Sequence, residues 1–148
     1  SDSATTSNTT TEAPAATPAA PAETPAAPAG GANVDLSNKG IGPVKTVNPP
    51  LGATVDQALA EKGKELFKIN CTACHKPTKK FIGPAPKGIL ERRSPEWVMN
   101  MILNPEEMIA NDPIAKQLLA EANGSPMANQ HLTEEQARAV LEYFRTIE

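Results

Sequence analysis

Five consecutive residues constrain this chain more than any others: Cys71-Thr72-Ala73-Cys74-His75. Two cysteines two residues apart, with a histidine directly after the second, form the attachment signature for a c-type haem. Each thiol adds across one vinyl group of the ring, and the spacing places the two sulfurs about one helical turn apart. The histidine then falls under the iron as proximal ligand. These are the only two cysteines in 148 residues. Two other readings of the pair fit less well. A redox dithiol normally sits in a βαβ context, which this sequence lacks. A zinc site could draw only on Cys71, Cys74, His75 and His131, with Cys74 and His75 adjacent and no second histidine at the usual spacing.

A haem supplies apolar volume, and the length of the folding unit makes that volume useful. All five aromatics (Phe67, Phe81, Trp97, Tyr143 and Phe144) lie in the last 82 residues. Residues 54–148 form a unit of about 95 residues, close to the size at which a core is marginal without a cofactor or crosslink. Residues 1–31 consist almost wholly of Ala, Pro, Thr, Ser, Asn and Gly, with Pro14, Pro18, Pro21, Pro25 and Pro28 at near-regular spacing. Such a segment is read as a disordered linker, because it cannot bury enough apolar surface to offset its ordering entropy. As polyproline II it would reach roughly 90 Å, a stalk suited to tethering a domain to a surface. Residues 32–53 are expected to form an extended segment over the domain. Val34, Leu36, Ile41, Val44 and Val47 give it contacts, and Pro49-Pro50 ends it.

The remainder reads as helices. Thr54 with Gln57 forms a capping-box pattern for a first helix that runs into the cysteine pair. Gly63 in that helix costs about 1 kcal/mol relative to Ala, which a close crossing by another helix would justify. Lys76 to Pro86 reads as loop. Ser94-Pro95 opens a second helix with Val98, Met101 and Ile102 on one face. Asn104-Pro105 and Asp112-Pro113 are further starts, the last burying Ile114, Leu118 and Leu119 before Asn123-Gly124 stops it. Thr133 and Gln136 cap a final helix striped by Ala137, Val140, Leu141, Phe144 and Ile147. No stretch alternates as a strand would, so the expected fold class is all-α.

Charge separates along the sequence. Residues 62–93 carry nine Lys or Arg against two Glu, whereas residues 94–148 carry three against nine acidic residues. A basic side near the haem attachment would steer docking to a charged partner. Lys76, Lys79, Lys80 and Lys87, with Arg92 and Arg93, are the expected ring. Nucleic acid is not an expected partner: overall charge is −3 and the basic stretch has no repeated aromatic interleaving. No run approaches 18 apolar residues, so no membrane span is expected. Candidates for the sixth iron position are Met99, Met101, Met108, Met127 and His131. The first two sit at core spacing inside a helix. Met127 is favoured, because the Ser125-Pro126-Met127 loop can aim its side chain and Met/His iron suits reversible electron transfer.

Taken together, these residues resemble class I monohaem cytochromes c. The resemblance rests on Gly63 and Phe67 entering the Cys-x-x-Cys-His motif, the Gly83-Pro84 loop, the Pro126-Met127 loop and a terminal helix with Tyr143. It implies an all-α fold of three to five helices around one haem c held by Cys71 and Cys74, with iron bound by His75 and Met127. It also implies that the Pro84 carbonyl accepts a hydrogen bond from His75 Nδ1, and that Gly63 and Phe67 meet Tyr143 where first and last helices cross. Pro86 stands where many members have Leu, so Ile89 or Leu90 is expected to cover the haem there. The run from Arg92 to Pro105 and the proline-rich stalk are similar to monohaem lipoprotein cytochromes of bacterial respiration, such as the monohaem subunit of alternative complex III. That likeness implies a carrier or electron-exit subunit on the periplasmic side of the bacterial inner membrane, lipid-anchored through residues upstream of this chain. Its donor would be a quinol-oxidising complex and its acceptor an oxidase or another cytochrome, with no catalytic turnover of its own. The contrasting expectation is a haem peroxidase or gas sensor with an open sixth position.

Overall fold

The computed structural model describes residues 34–147. The linker expected over 1–31, and the first two residues of the extended segment, lie outside the described residues. Six helices follow in order: α1 (Gln57–Asn70), α2 (Ile89–Arg92), α3 (Pro95–Leu103), α4 (Pro105–Asn111), α5 (Pro113–Glu121) and α6 (Glu134–Arg145). That is one more than the expected upper bound; the single turn α2 falls between the expected loop and the Ser94 start, where no element is expected. Among the described residues there is no strand, only one parallel bridge between Asp35 and Arg93. The fold is all-α.

Prolines divide the middle of the chain into short helices. Pro95, Pro105 and Pro113 each occupy the first turn of α3, α4 and α5, where the missing N–H costs nothing. Ser94 and Asp112 cap their helices by accepting from the Trp97 and Ala115 N–H groups. Thr133 and Gln136 close the expected capping box on α6. The start of α1 differs from expectation. Its cap is Asp56, which accepts from Leu59 N–H at 3.1 Å, and the helix begins at Gln57. Thr54 lies two residues before that cap, and its carbonyl accepts from Arg145 Nη1 at 3.4 Å.

The core is built on the crossing of α1 and α6. A Cβ on Gly63 would overlap the Ala139 carbonyl, so only glycine lets the two backbones approach this closely. Phe67 packs against Tyr143 and Phe144 with ring centroids 5.5 and 5.8 Å apart. Behind the crossing, Glu142 is fully buried between Arg138 and Arg145 at 3.4 and 3.0 Å. Both arginines also reach carbonyls of the incoming chain, Arg138 at Pro49 and Arg145 at Gly52.

Residues 34–50 lie over α3 and α4. Asn100, buried in mid-helix, accepts from Val44 N–H and donates to the Val44 and Lys39 carbonyls. Met108 is sealed from solvent, and its Sδ accepts from Ile41 N–H at 3.0 Å. Asp112 accepts from Asn38 Nδ2 at 2.7 Å and Trp97 Nε1 at 3.1 Å. Within this strap Val44 and Val47 are buried, while Val34 and Leu36 remain exposed. On α5 the residue sealed in the core is Ala115. Ile114, Leu118 and Leu119, expected to be buried, are only half-buried; Leu118 and Leu119 line a cavity instead.

Candidate functional site

That cavity has a volume of about 310 Å³ and is walled mainly by apolar side chains. Phe67, Val140 and Phe144 form the floor beside the helix crossing, and Val98, Met101 and Ile102 present one face of α3. Ile89 lines it in the region of Pro86, which is itself on the wall; Leu90 packs elsewhere in the core. Of the residues singled out from the sequence, Cys71, Cys74, His75, Pro84 and Met127 all lie on this one wall. Met101 does too, whereas Met99 and Met108 are packed into the core away from it. His131 is exposed, outside the cavity, with a left-handed backbone at φ 56. Among the described residues, Met101 and Met127 are therefore the thioethers that reach the space.

The C-terminal end of α1 and the turn after it deliver the two thiols, Cys71 as the helix cap, and tight turns hold the histidine behind them. His75 N–H and Cys74 N–H both donate to the Cys71 carbonyl, at 2.9 and 3.1 Å. Gly83 N–H returns to the Cys74 carbonyl at 2.7 Å, folding the loop back under the imidazole. The contact with the ring is so close that a Cβ on Gly83 would stand 2.7 Å from His75 Nδ1 and nearer still to Cε1. His75 Nδ1 lies 2.9 Å from the Pro84 carbonyl. A carbonyl can only accept, so in the neutral ring Nδ1 carries the proton and Nε2 keeps its lone pair. That tautomer is the one a metal-binding imidazole requires, and its orientation is fixed by the loop.

Electrostatics set the two cysteines apart. Burial, with Cys74 close by, pushes the Cys71 thiol up to about 11, while Cys74 is exposed. Arg93 is the one permanently charged side chain on the cavity wall among the described residues. It is 1 % exposed, stacks on the Trp97 ring with a centroid distance of 5.5 Å, and donates to the Arg92 carbonyl at 2.8 Å. The donor set thus comprises two thiols without a disulfide, an imidazole with Nε2 available, apolar walls and one guanidinium. It fits a haem: the thiols match the vinyl groups, the imidazole the iron, and the guanidinium the ring's carboxylates.

The sequence-expected basic ring needs one correction. Lys76, Lys79, Lys80 and Lys87 are exposed, but Arg92 and Arg93 are buried, because their side chains turn inward to donate to backbone carbonyls. What the sequence reading missed is the apolar centre of that face. Phe81 and Ile82 are 47 % and 41 % exposed, and Lys76 Nζ sits 4.9 Å above the Phe81 ring.

An all-α fold with a Cys-x-x-Cys-His turn opening into an apolar cavity defines a c-type haem protein. Residues 60–148 match the cytochrome c family, and the chain belongs to that family. Its members hold haem c covalently and carry electrons. Among solved structures, the chain is similar to a cytochrome c from Rhodothermus marinus at 50% identity and TM-score 0.66, covering 70% of this chain and 87% of that one. An engineered form of the Rhodothermus marinus protein, bound to a carbene intermediate, matches at 48% identity and TM-score 0.62, with 70% and 88% covered. A cytochrome c domain from Pseudomonas putida is 27% identical with TM-score 0.52, covering 56% of this chain and 84% of that one. No curated protein matches the sequence.

Proposed function

We propose that this chain transfers single electrons through one haem c in a bacterial respiratory chain, with the iron held between His75 and Met127. The observation that carries the reading is the convergence of Cys71, Cys74, His75 and Met127 on one apolar cavity. When bound, the haem supplies a reversible one-electron couple. The protein's work is to hold it still and dry. Cys71 and Cys74 anchor the ring, the Pro84 carbonyl orients His75, and the α3 and α5 side chains exclude water. Between the two thioethers on the wall, Met127 is favoured. Met101 belongs to the regular α3 face with Val98 and Ile102, while Met127 sits on a loop with no helix to dictate its direction.

Docking would use the face around Cys74, Phe81 and Ile82, with Lys76, Lys79, Lys80 and Lys87 at its rim, against an acidic redox partner. An exposed apolar centre and a lysine rim suit brief, salt-sensitive encounters. The proline-rich composition of residues 1–31 supports a tether at the periplasmic side of the inner membrane, and with it a carrier or electron-exit subunit between a quinol-oxidising complex and an oxidase or second cytochrome. Among the described residues no helix is long and apolar enough to cross a membrane.

The open-site alternative, a peroxidase or gas sensor, has one observation on its side: the engineered relative holds a carbene intermediate. Two measurements decide. Haem must remain with the polypeptide through acid-acetone extraction. The reduced protein must then bind carbon monoxide slowly and weakly, with a thioether-to-iron charge-transfer band in the oxidised spectrum; fast, tight binding overturns the Met127 assignment.

A further inference from the structure

We infer that Arg92 is a positioning residue for the proximal histidine, acting through the loop that carries the Pro84 carbonyl. The inference rests on the reading of His75 as an iron ligand. Arg92 does not line the haem cavity, yet it is 8 % exposed. Its Nη2 donates to the Ala85 carbonyl at 3.2 Å and its Nη1 to the Lys87 carbonyl at 3.0 Å. Ala85 directly follows Pro84. Lys87 N–H in turn donates to the Pro77 carbonyl at 3.1 Å, two residues beyond His75. A closed ring of contacts results: His75 to Pro84, Ala85 to Arg92, Arg92 to Lys87, Lys87 to Pro77, and back along the chain to His75.

Chemistry argues that this arrangement is more than filler. Burying a guanidinium is costly, and an apolar side chain of similar size is usually the cheaper occupant. Arg92 forms no ion pair among the described residues, and its Nε is buried without a hydrogen-bond partner. What it gains is two charge-assisted bonds to carbonyls of one loop, held in the fixed fork that only Arg offers. Pro84 and Pro86 have no N–H, so this loop cannot brace itself by backbone pairing at those positions. Arg92 supplies the missing brace from outside. The plane and distance of the Pro84 carbonyl then set how strongly His75 Nδ1–H is pulled, and so how good a donor Nε2 is to iron.

The test uses the haem-loaded full chain with Arg92→Lys and Arg92→Met. Lysine keeps the charge but cannot hold both carbonyls. NMR reads exchange of the His75 Nδ1 proton in the oxidised protein, against the slowest backbone amides of α1 and α6 in the same sample. The expected result is Nδ1–H exchange at least roughly tenfold faster relative to those amides in both variants. The reduction potential of Arg92→Lys should rise, because a less strongly pulled imidazole stabilises oxidised iron less. Equal acceleration of Nδ1–H and amides with an unchanged potential would make Arg92 merely structural and overturn the inference. So would a potential that moves in Arg92→Met alone, which would assign the effect to charge. A wild-type His75 ring without paramagnetic displacement of its proton signals would remove the iron-ligand reading first, and the brace with it.

Discussion

The loop behind His75 and the loop carrying Met127 face the same cavity and are built in opposite ways. Residues 75–93 are tied at almost every step: Gly83 to Cys74, Pro84 to His75, Lys87 to Pro77, and Arg92 to Ala85 and Lys87. Residues 122–133 are thinly held. Gly124 N–H returns to the Leu119 carbonyl, Ser125 N–H to Ala122, and His131 N–H to the Asn129 side chain, all local. Asn123, Gly124 and His131 have positive φ. Between the two regions, Lys80 Nζ donates to the Glu121 carbonyl at 3.3 Å, at the edge of the Met127 loop. If His75 and Met127 hold the iron as proposed, one ligand is set in a densely bonded frame and the other on a segment with few bonds, of the kind that opens locally at modest cost. Under that proposal the imidazole would stay in place while the thioether side opens.

Two glycines offer the sharpest way to break that comparison. Gly83→Val drives a branched side chain into the His75 ring, where neither partner can yield. It should cost about 3 kcal/mol in denaturant unfolding and disturb the His75 signals. If the histidine environment survives it, the proximal frame is not rigid. Met127→Ala tests the other loop on the loaded protein. Covalent haem should be retained, and carbon monoxide binding to the reduced form should accelerate by at least about tenfold as the sixth position opens. Retention of the charge-transfer band in that variant would transfer the ligand role to Met101.

Gly124→Ala should do much less than Gly83→Val. Nothing lies within 4 Å of the added Cβ, and only the φ of 79° is unfavourable. The cost should be about 1 kcal/mol, with ligand spectra unchanged. Lys80→Ala removes an exposed bond and should change stability by less than about 0.5 kcal/mol. Hydrogen exchange at residues 122–125 should nevertheless quicken while residues 83–87 stay protected; equal quickening would show that the two loops move together.

Much of this was legible in the sequence. The Ser94-Pro95, Asn104-Pro105 and Asp112-Pro113 pairs mark helix starts by local chemistry alone, and the stripe on α6 needs no tertiary information. Gly63 announced a close crossing because a mid-helix glycine requires a reason. What could not be read depends on distant partners. Thr54 and Asp56 are both competent caps, and the local sequence does not say which is used; the helix takes Asp56. Arg92 and Arg93 look like surface charge until the loop carbonyls they serve are folded beneath them. Asn100 sits among apolar neighbours in α3 and is nonetheless buried. Its partners on the strap lie 56 and 61 residues away. The Arg138, Glu142, Arg145 spacing likewise pairs charges at helical intervals, but nothing local says that Glu142 is sealed from water.

The contact between Gly63 and Ala139 has a consequence in time as well as in space. It closes a loop of 76 residues, from position 63 to position 139, and nearly all of the cavity wall is strung along that loop. Long-range closures of this kind are entropically late events in folding. A chain emerging from its N-terminus exposes Cys71 and Cys74 long before the last helix exists to complete the crossing. The wall of the cavity is therefore complete only once the final twelve-residue helix docks.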